Sequence, residues 1–151
     1  MTSVAAVVAS DAIILVEGEC NADGTVTVIK DETLDLEPGD RRKAYAIMAT
    51  RIRDRLKNGV DTVILKASSG GQFAAKTVVL HAAELRGVFL SAVPGEIEVV
   101  QRQKKSVSKG RSRKVDEYLK DDVFFGAKFD GAKLRKGSRE AAFLILNEVD
   151  D

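Results

Sequence analysis

Hydrophobic and polar positions alternate in blocks that predict a mixed α/β chain. Asp11 to Glu19 (DAIILVEGE) carries apolar residues of both parities, the pattern of a central strand covered on both faces. Asn21-Ala-Asp-Gly24 supplies turn chemistry, Thr25 to Lys30 alternates Val26 and Val28 with polar neighbours, and Thr33 to Leu36 follows, so three antiparallel strands open the fold. Pro38-Gly-Asp40 announces a helix with Asp40 as its N-cap; Tyr45, Met48, Ile52 and Leu56 share one face up to the stop at Asn58-Gly59. Val60 to Lys66 reads as a short buried strand. Ala67-Ser-Ser-Gly-Gly71 then leads into a long helix from Gln72 to Val93, and a strand-to-helix crossover of this kind implies parallel pairing. That helix is apolar almost all round (Phe73, Val78, Leu80, Leu85, Phe89, Leu90), which predicts packing against the sheet on one side and a second surface, such as a twin subunit, on the other. Glu96 to Gln101 is a fifth strand, Val115 to Leu119 a helical turn or two, and Ser138 to Glu148 a closing helix; residues 121 to 136 show no clear period. The expectation is a five-stranded mixed sheet, three antiparallel strands then two parallel, with helices on both faces.

Composition narrows the chemistry. At 151 residues, one domain spanning 1–151 is expected, and 44% hydrophobic with 31% charged residues is globular composition. No apolar run approaches the roughly 18 residues that cross a bilayer, so no membrane is expected. Met1 to Ser10 is apolar but lacks a basic leader region and a cleavage-like site, which favours the cytoplasm. Cys20 is the only cysteine and His81 the only histidine, so no internal disulfide and no Cys/His zinc cage can form, and any metal must sit on carboxylates. Thiol and serine hydrolases fall away, because the single imidazole lies inside an apolar helix.

Charge is balanced overall at +1 but not along the chain. Residues 1 to 40 hold nine acids and one base, Lys30, whereas residues 41 to 60 hold seven bases and one acid, Asp54. From Arg102 to Lys114 there are seven bases (Arg102, Lys104, Lys105, Lys109, Arg111, Arg113, Lys114) and no acid. A solvated surface loop is one reading of that run. The other is neutralisation of nucleic-acid phosphates with counterion release, through backbone contact, since no aromatic residue in the tract offers base stacking.

The order of elements, the helix containing Ala83-Glu-Leu-Arg-Gly-Val-Phe-Leu-Ser-Ala92, the Lys-rich Lys104-Lys-Ser-Val-Ser-Lys-Gly110 and the closing Glu140-Ala-Ala-Phe-Leu-Ile-Leu146 resemble the RuvC-like branch of the ribonuclease H-like fold, the Holliday-junction resolvases and their relatives. The resemblance implies carboxylates on the first strand, at the end of the fourth and on the last helix, jointly holding Mg²⁺ or Mn²⁺ ions roughly 3.5–4 Å apart. Glu17 falls at the expected first-strand position, with Glu19 two residues on, and Glu140 at the last-helix position; Gly137 stands where a further acid is common. Lys66 stands at the end of the fourth strand, where an acid is expected. Glu17, Lys66 and Glu140 are therefore the candidate catalytic residues, with Glu17, Glu19 and Glu140 as candidate metal ligands. An ammonium among them would repel a second metal ion, which points to a pseudonuclease or weak nuclease acting on branched or structured DNA or RNA. Plainer readings stand beside these: a Glu17 or Glu19 salt bridge with Lys66, and Glu140 favoured by the helix macrodipole alone. Other outcomes are an active metal-dependent endonuclease, or a non-catalytic interaction subunit dimerising through the helix of residues 72–93.

Gly70-Gly-Gln-Phe-Ala-Ala-Lys76-Thr77 follows a strand and opens a helix, as a phosphate-binding loop does. Ala75 occupies the position that needs glycine before the lysine, so a tight turn capped by Ser68 or Ser69 competes with nucleotide binding.

Overall fold

A computed structural model describes residues 1–67, 76–107 and 111–146. Its first strand is one the sequence pattern hides. Thr2–Val8 (β1) runs antiparallel to Ala12–Cys20 (β2), and a tight turn closed by the Ala9 amide on the Ala12 carbonyl joins them. The Asp11–Glu19 segment is thus the second strand. Val26–Asp35 (β3) pairs antiparallel with β2 as one continuous strand, and a bulge opposite Glu17 and Gly18 leaves Ile29 unpaired and exposed. Thr62–Lys66 (β4) lies parallel to β1, Glu98–Arg102 (β5) parallel to β4, and the short Phe129–Gly131 (β6) parallel to β3. The order β5-β4-β1-β2-β3-β6 makes six strands where five were expected, because β1 and β6 were not expected while the two segments 25–30 and 33–36 fuse into β3.

Helices cover both faces. Arg41–Leu56 (α1), capped by the Asp40 side chain on the Arg42 amide, packs with Thr77–Ala92 (α2) on the face that presents Val4, Ala6, Ile13, Leu15, Val63 and Leu65. From α1 come Met48, Ile52 and Leu56; from α2, Leu85, Phe89 and Ala92, all buried. The other face presents Ala5, Val16, Val26, Val28 and Ile64 to Lys104–Val107 (α3), Val115–Leu119 (α4), Asp122–Lys128 (α5) and Arg139–Leu146 (α6). Every described residue of α6 from Ala141 to Leu146 is buried. This close seating needs Gly18 beneath it: a Cβ there would stand 3.0 Å from a Val26 methyl and 3.4 Å from the end of Ile145.

α2 begins at Thr77; residues 72–75, expected in the same helix, lie outside the described residues, as does most of the candidate phosphate loop. Among the described residues no helix is long and apolar enough to cross a membrane.

Candidate functional site

The C-terminal end of β4, the adjoining end of β1 and the first turn of α6 meet on one face of the sheet. Pairing of Ala6 with Leu65 brings Val7, one residue on, level with Lys66, and both point towards α6, since Val7 packs in the same cluster as Ala5 and Ile64. From α6 comes Glu140, whose Oε1 forms an ion pair with the Lys66 ammonium. Both side chains keep about a quarter of their surface exposed, 29% for Lys66 and 26% for Glu140, so water screens the pair in part. Val107 of α3, Val115 of α4, Phe143 and Leu144 line a void of about 10 Å³ beside it. Apolar side chains therefore close one flank of the pair, with room for a single water at most.

What fixes Glu140 is an acid that the sequence pattern does not single out. Asp31 of β3, its side chain 5% exposed, accepts from the Arg135 backbone amide (3.1 Å), Arg135 Nε (3.1 Å), Arg135 Nη2 (2.7 Å) and the Ser138 hydroxyl (2.6 Å). These bonds hold the 3₁₀ turn Lys136–Ser138 that feeds α6. Burial alone would raise the Asp31 carboxyl; the hydrogen bonds from Arg135 and Ser138 outweigh it and hold the group below the usual carboxylate range. Arg139, beside Glu140, turns the other way. It donates to the Leu119 carbonyl (3.0 Å) and Asp122 (2.6 Å) and lies over the Phe125 ring at 4.7 Å.

Glu17 does not join this group. It sits on β2, not on the first strand, and its side chain enters the α1 layer on the opposite face, where Arg55 Nη2 donates to it at 2.5 Å while Arg55 Nε binds Glu32. Burial would lower the Arg55 guanidinium; hydrogen bonds and the charges of Glu32 and Glu17 more than compensate and raise it. Glu19, an exposed residue, accepts from the Thr2 hydroxyl at 3.0 Å. The expected meeting of Glu17, Lys66 and Glu140 thus reduces to Lys66 with Glu140. The physical reason is the extra strand at the start, which moves Glu17 one strand along, and the alternation of β2, which turns Glu17 to the same face as Ile13 and Leu15.

Two arginines of the basic segment are held against aromatic rings. The Arg113 guanidinium lies 4.3 Å over the Tyr118 ring and pairs with Asp121 at 3.0 Å, and Arg111 lies 5.1 Å over Phe143. Arg102 ends β5, where its carbonyl accepts from Ala67, and Lys114 is exposed as the N-cap of α4. The side chains of Lys104 and Lys105, and all of Lys109, lie outside the described residues.

The fold family's divalent metal does not fit these residues. A hard cation such as Mg²⁺ takes oxygen ligands and is held by one or more carboxylates, and a two-metal site requires several. Here the converging positions supply a methyl-bearing Val7, an ammonium and a single carboxylate. Among the described residues no three or more Asp, Glu, His or Cys side chains gather as a metal-holding group.

Solved structures share this architecture. Thermus thermophilus RuvC in complex with Holliday junction substrate superposes with a TM-score of 0.77 at 12% identity, over 97% of this chain and 92% of that one. A second Thermus thermophilus RuvC structure gives a TM-score of 0.74 at 12% identity over the same shares, 97% and 92%. The yeast mitochondrial Holliday junction resolvase Ydc2 gives 0.70 at 8% identity, over 98% of this chain and 80% of its own. The chain has the RuvC-type ribonuclease H-like fold. No protein-family model and no curated protein sequence matches it.

Proposed function

We propose that the chain is a RuvC-like nucleic-acid-binding protein whose metal site has been exchanged for an ion pair: a pseudonuclease that holds branched or structured DNA or RNA by its phosphate backbone. The observation that carries this reading is the Lys66–Glu140 pair beside Val7, at the position where the resemblance implies converging carboxylates. An ammonium neutralises the remaining acid without a metal ion, so no hydroxide nucleophile is generated there. The protein that superposes best among those named above was solved on Holliday junction substrate, which supports nucleic acid as the ligand class. Arg102, Lys104, Lys105, Lys109, Arg111, Arg113 and Lys114 are the proposed phosphate contacts. Of these, Arg111 and Arg113 act from fixed positions on aromatic rings. Such a role belongs in the cytoplasm.

Affinity for a four-way DNA junction should then fall with salt at a log–log slope of about −0.9 per phosphate contacted, and Lys104→Ala with Lys105→Ala and Lys114→Ala should flatten that slope by up to three contacts' worth. Salt-independent binding would overturn the reading. Incubation of junctions, hairpins and RNA–DNA hybrids with Mn²⁺ should leave them intact; cleavage lost in Glu140→Gln would establish an endonuclease instead.

A homodimer through α2 belongs to the same proposal. Leu80, Ala83, Gly87 and Leu90 form an outward strip, Leu80 51% and Leu90 36% exposed, with small residues at its centre where a second helix can approach closely. Nothing lies within 4 Å of a Cβ placed on Gly87, so Gly87→Arg leaves the fold intact and should convert a dimer to a monomer in sedimentation.

A further inference from the structure

Between α5, β6 and the start of α6 lies a cavity of about 360 Å³, lined by Phe125, Gly126, Phe129, Leu134, Asp130 and Lys133, with Asp122 and Arg139 at one side. That volume is within the range of about 300–1,000 Å³ typical of small-ligand sites. Its floor is apolar: the Phe125 and Phe129 rings stack on each other at 4.9 Å with 12° between their planes, and because Arg139 also lies over Phe125, Phe129 is the ring left to meet a ligand. Its shape is set by the sheet. Gly131, at φ +87°, lies so close to β3 that a Cβ would stand 2.4 Å from the Val28 carbonyl oxygen, and the Ala132 amide donates to that same oxygen at 2.8 Å. Gly126 leaves the opposite wall bare: a methyl group added there would meet nothing within 4 Å.

The rim is polar and of both signs. Arg139 is committed to Leu119, Asp122 and the Phe125 ring, whereas the side chains of Asp130 and Lys133, both exposed, form no ion pair or hydrogen bond with another described residue. A simple anion would face two carboxylates there, a simple cation two bases, and a wholly apolar molecule would strip water from the rim without replacing it. A planar ring with a hydrogen-bonding edge and an attached phosphate meets all three surfaces: the ring over the apolar floor, its amino or imino hydrogens to Asp130, its phosphate to Lys133.

We infer that this cavity receives a single unpaired nucleobase, so that the protein reads a nucleotide already displaced from the stack at a branch, bulge or gap. The inference rests on the reading of the chain as a nucleic-acid binder and names a substrate feature for it. Base–aromatic contact is worth about 1–3 kcal/mol, and a base that is already unpaired costs least to extrude.

The test compares two DNA duplexes, one fully paired and one carrying a single bulged 2-aminopurine, bound to the full chain and to its Gly126→Leu variant. The leucine fills the cavity and changes no charge. The wild-type chain should bind the bulged duplex about tenfold more tightly, corresponding to about 1.4 kcal/mol, and Gly126→Leu should abolish that preference while leaving paired-duplex affinity and melting temperature unchanged. Equal affinity for the two duplexes, or a preference that survives in the folded variant, would overturn the inference and leave the nucleic-acid reading standing. If neither duplex binds, the nucleic-acid reading falls, and amide shifts of Gly126, Gly131 and Ala132 under deoxynucleoside monophosphates decide for the cavity alone: their absence sinks it.

Discussion

Exchanging the Lys66 ammonium for a carboxylate should rebuild a cation site and lower stability until the cation arrives. In Lys66→Glu the new acid faces Glu140 where an ion pair stood. With 29% and 26% of the two side chains exposed, the lost attraction is worth about 1 kcal/mol, and like charges at contact add roughly 1–2 kcal/mol after solvent screening. A loss of about 2–3 kcal/mol lowers the melting temperature of a domain this size by roughly 5–10 °C. A divalent ion that binds only the folded variant returns about 2.7 kcal/mol at a hundredfold excess over its Kd, so Mn²⁺ should restore most of the loss. Val7→Asp combined with Lys66→Glu should tighten Mn²⁺ binding further, since Val7 is level with residue 66 on the neighbouring strand. Thermal denaturation followed by circular dichroism, at fixed ionic strength with and without Mn²⁺, reads the effect, and Mn²⁺ paramagnetic resonance reads the occupancy. Equal stabilisation of the unaltered chain by Mn²⁺ would refute the reasoning, because Lys66 would then not stand in for a metal ion.

Asp31→Asn should cost about 2 kcal/mol, because it removes a buried charge-assisted acceptor of Arg135 and Ser138. Its carboxyl is held below the usual value of 3.8, so the stabilisation is complete above that pH and is lost as pH falls through the lower folded-state value; the acid limb of a urea-denaturation profile should be flatter in Asp31→Asn. Gly131→Ala combines a left-handed φ of +87° with a 2.4 Å collision against Val28 and should lose about 2 kcal/mol or more, read as a shifted urea midpoint. Arg55→Met leaves Glu17 and Glu32 facing each other with side chains 15% and 20% exposed and should cost about 2–3 kcal/mol, while junction affinity measured by fluorescence anisotropy stays unchanged.

The middle of the fold was legible because it rests on local signals, a cap at Asp40, a stop at Gly59, a strand end at Lys66 and a first turn at Glu140, whereas the meeting of Lys66 with Glu140 was expected only from the resemblance. β1 was not legible. Thr2–Val8 contains no polar alternation after Ser3, and the turn that follows has no Gly, Pro or Asn to mark it, so the strand reads as an apolar lead-in. That single omission carried Glu17 to the wrong strand. β6 was hidden for a different reason: three residues paired only to β3 carry no period at all. Asp31 gave no local sign either, since its partners Arg135 and Ser138 lie more than a hundred residues away.

The charge asymmetry of the first sixty residues has a structural resolution that bears on where a polyanion can bind. α1 docks its bases onto the acid-rich strands: Arg55 takes Glu17 and Glu32, Arg51 donates to the Asp35 carbonyl at 2.9 Å, and Arg41 donates to the Ser10 carbonyl at 2.7 Å and to the Tyr45 hydroxyl. Of the seven bases in residues 41–60, Arg55 alone is paired with acids of residues 1–40, while Arg41 and Arg51 spend their donors on backbone carbonyls, holding a helix to a sheet. On the other layer the balance differs. Between Arg111 and Arg139 there are nine bases against five acids, and Lys114, Lys120, Lys133 and Lys136 are exposed without a described ion-pair partner. Long-range attraction of a nucleic acid depends on that uncompensated excess, not on bases already neutralised within the fold. The α4–α6 face also carries Lys66, Glu140 and the cavity beside Phe129, so under the proposed function phosphate and base contacts would fall on one side of the molecule.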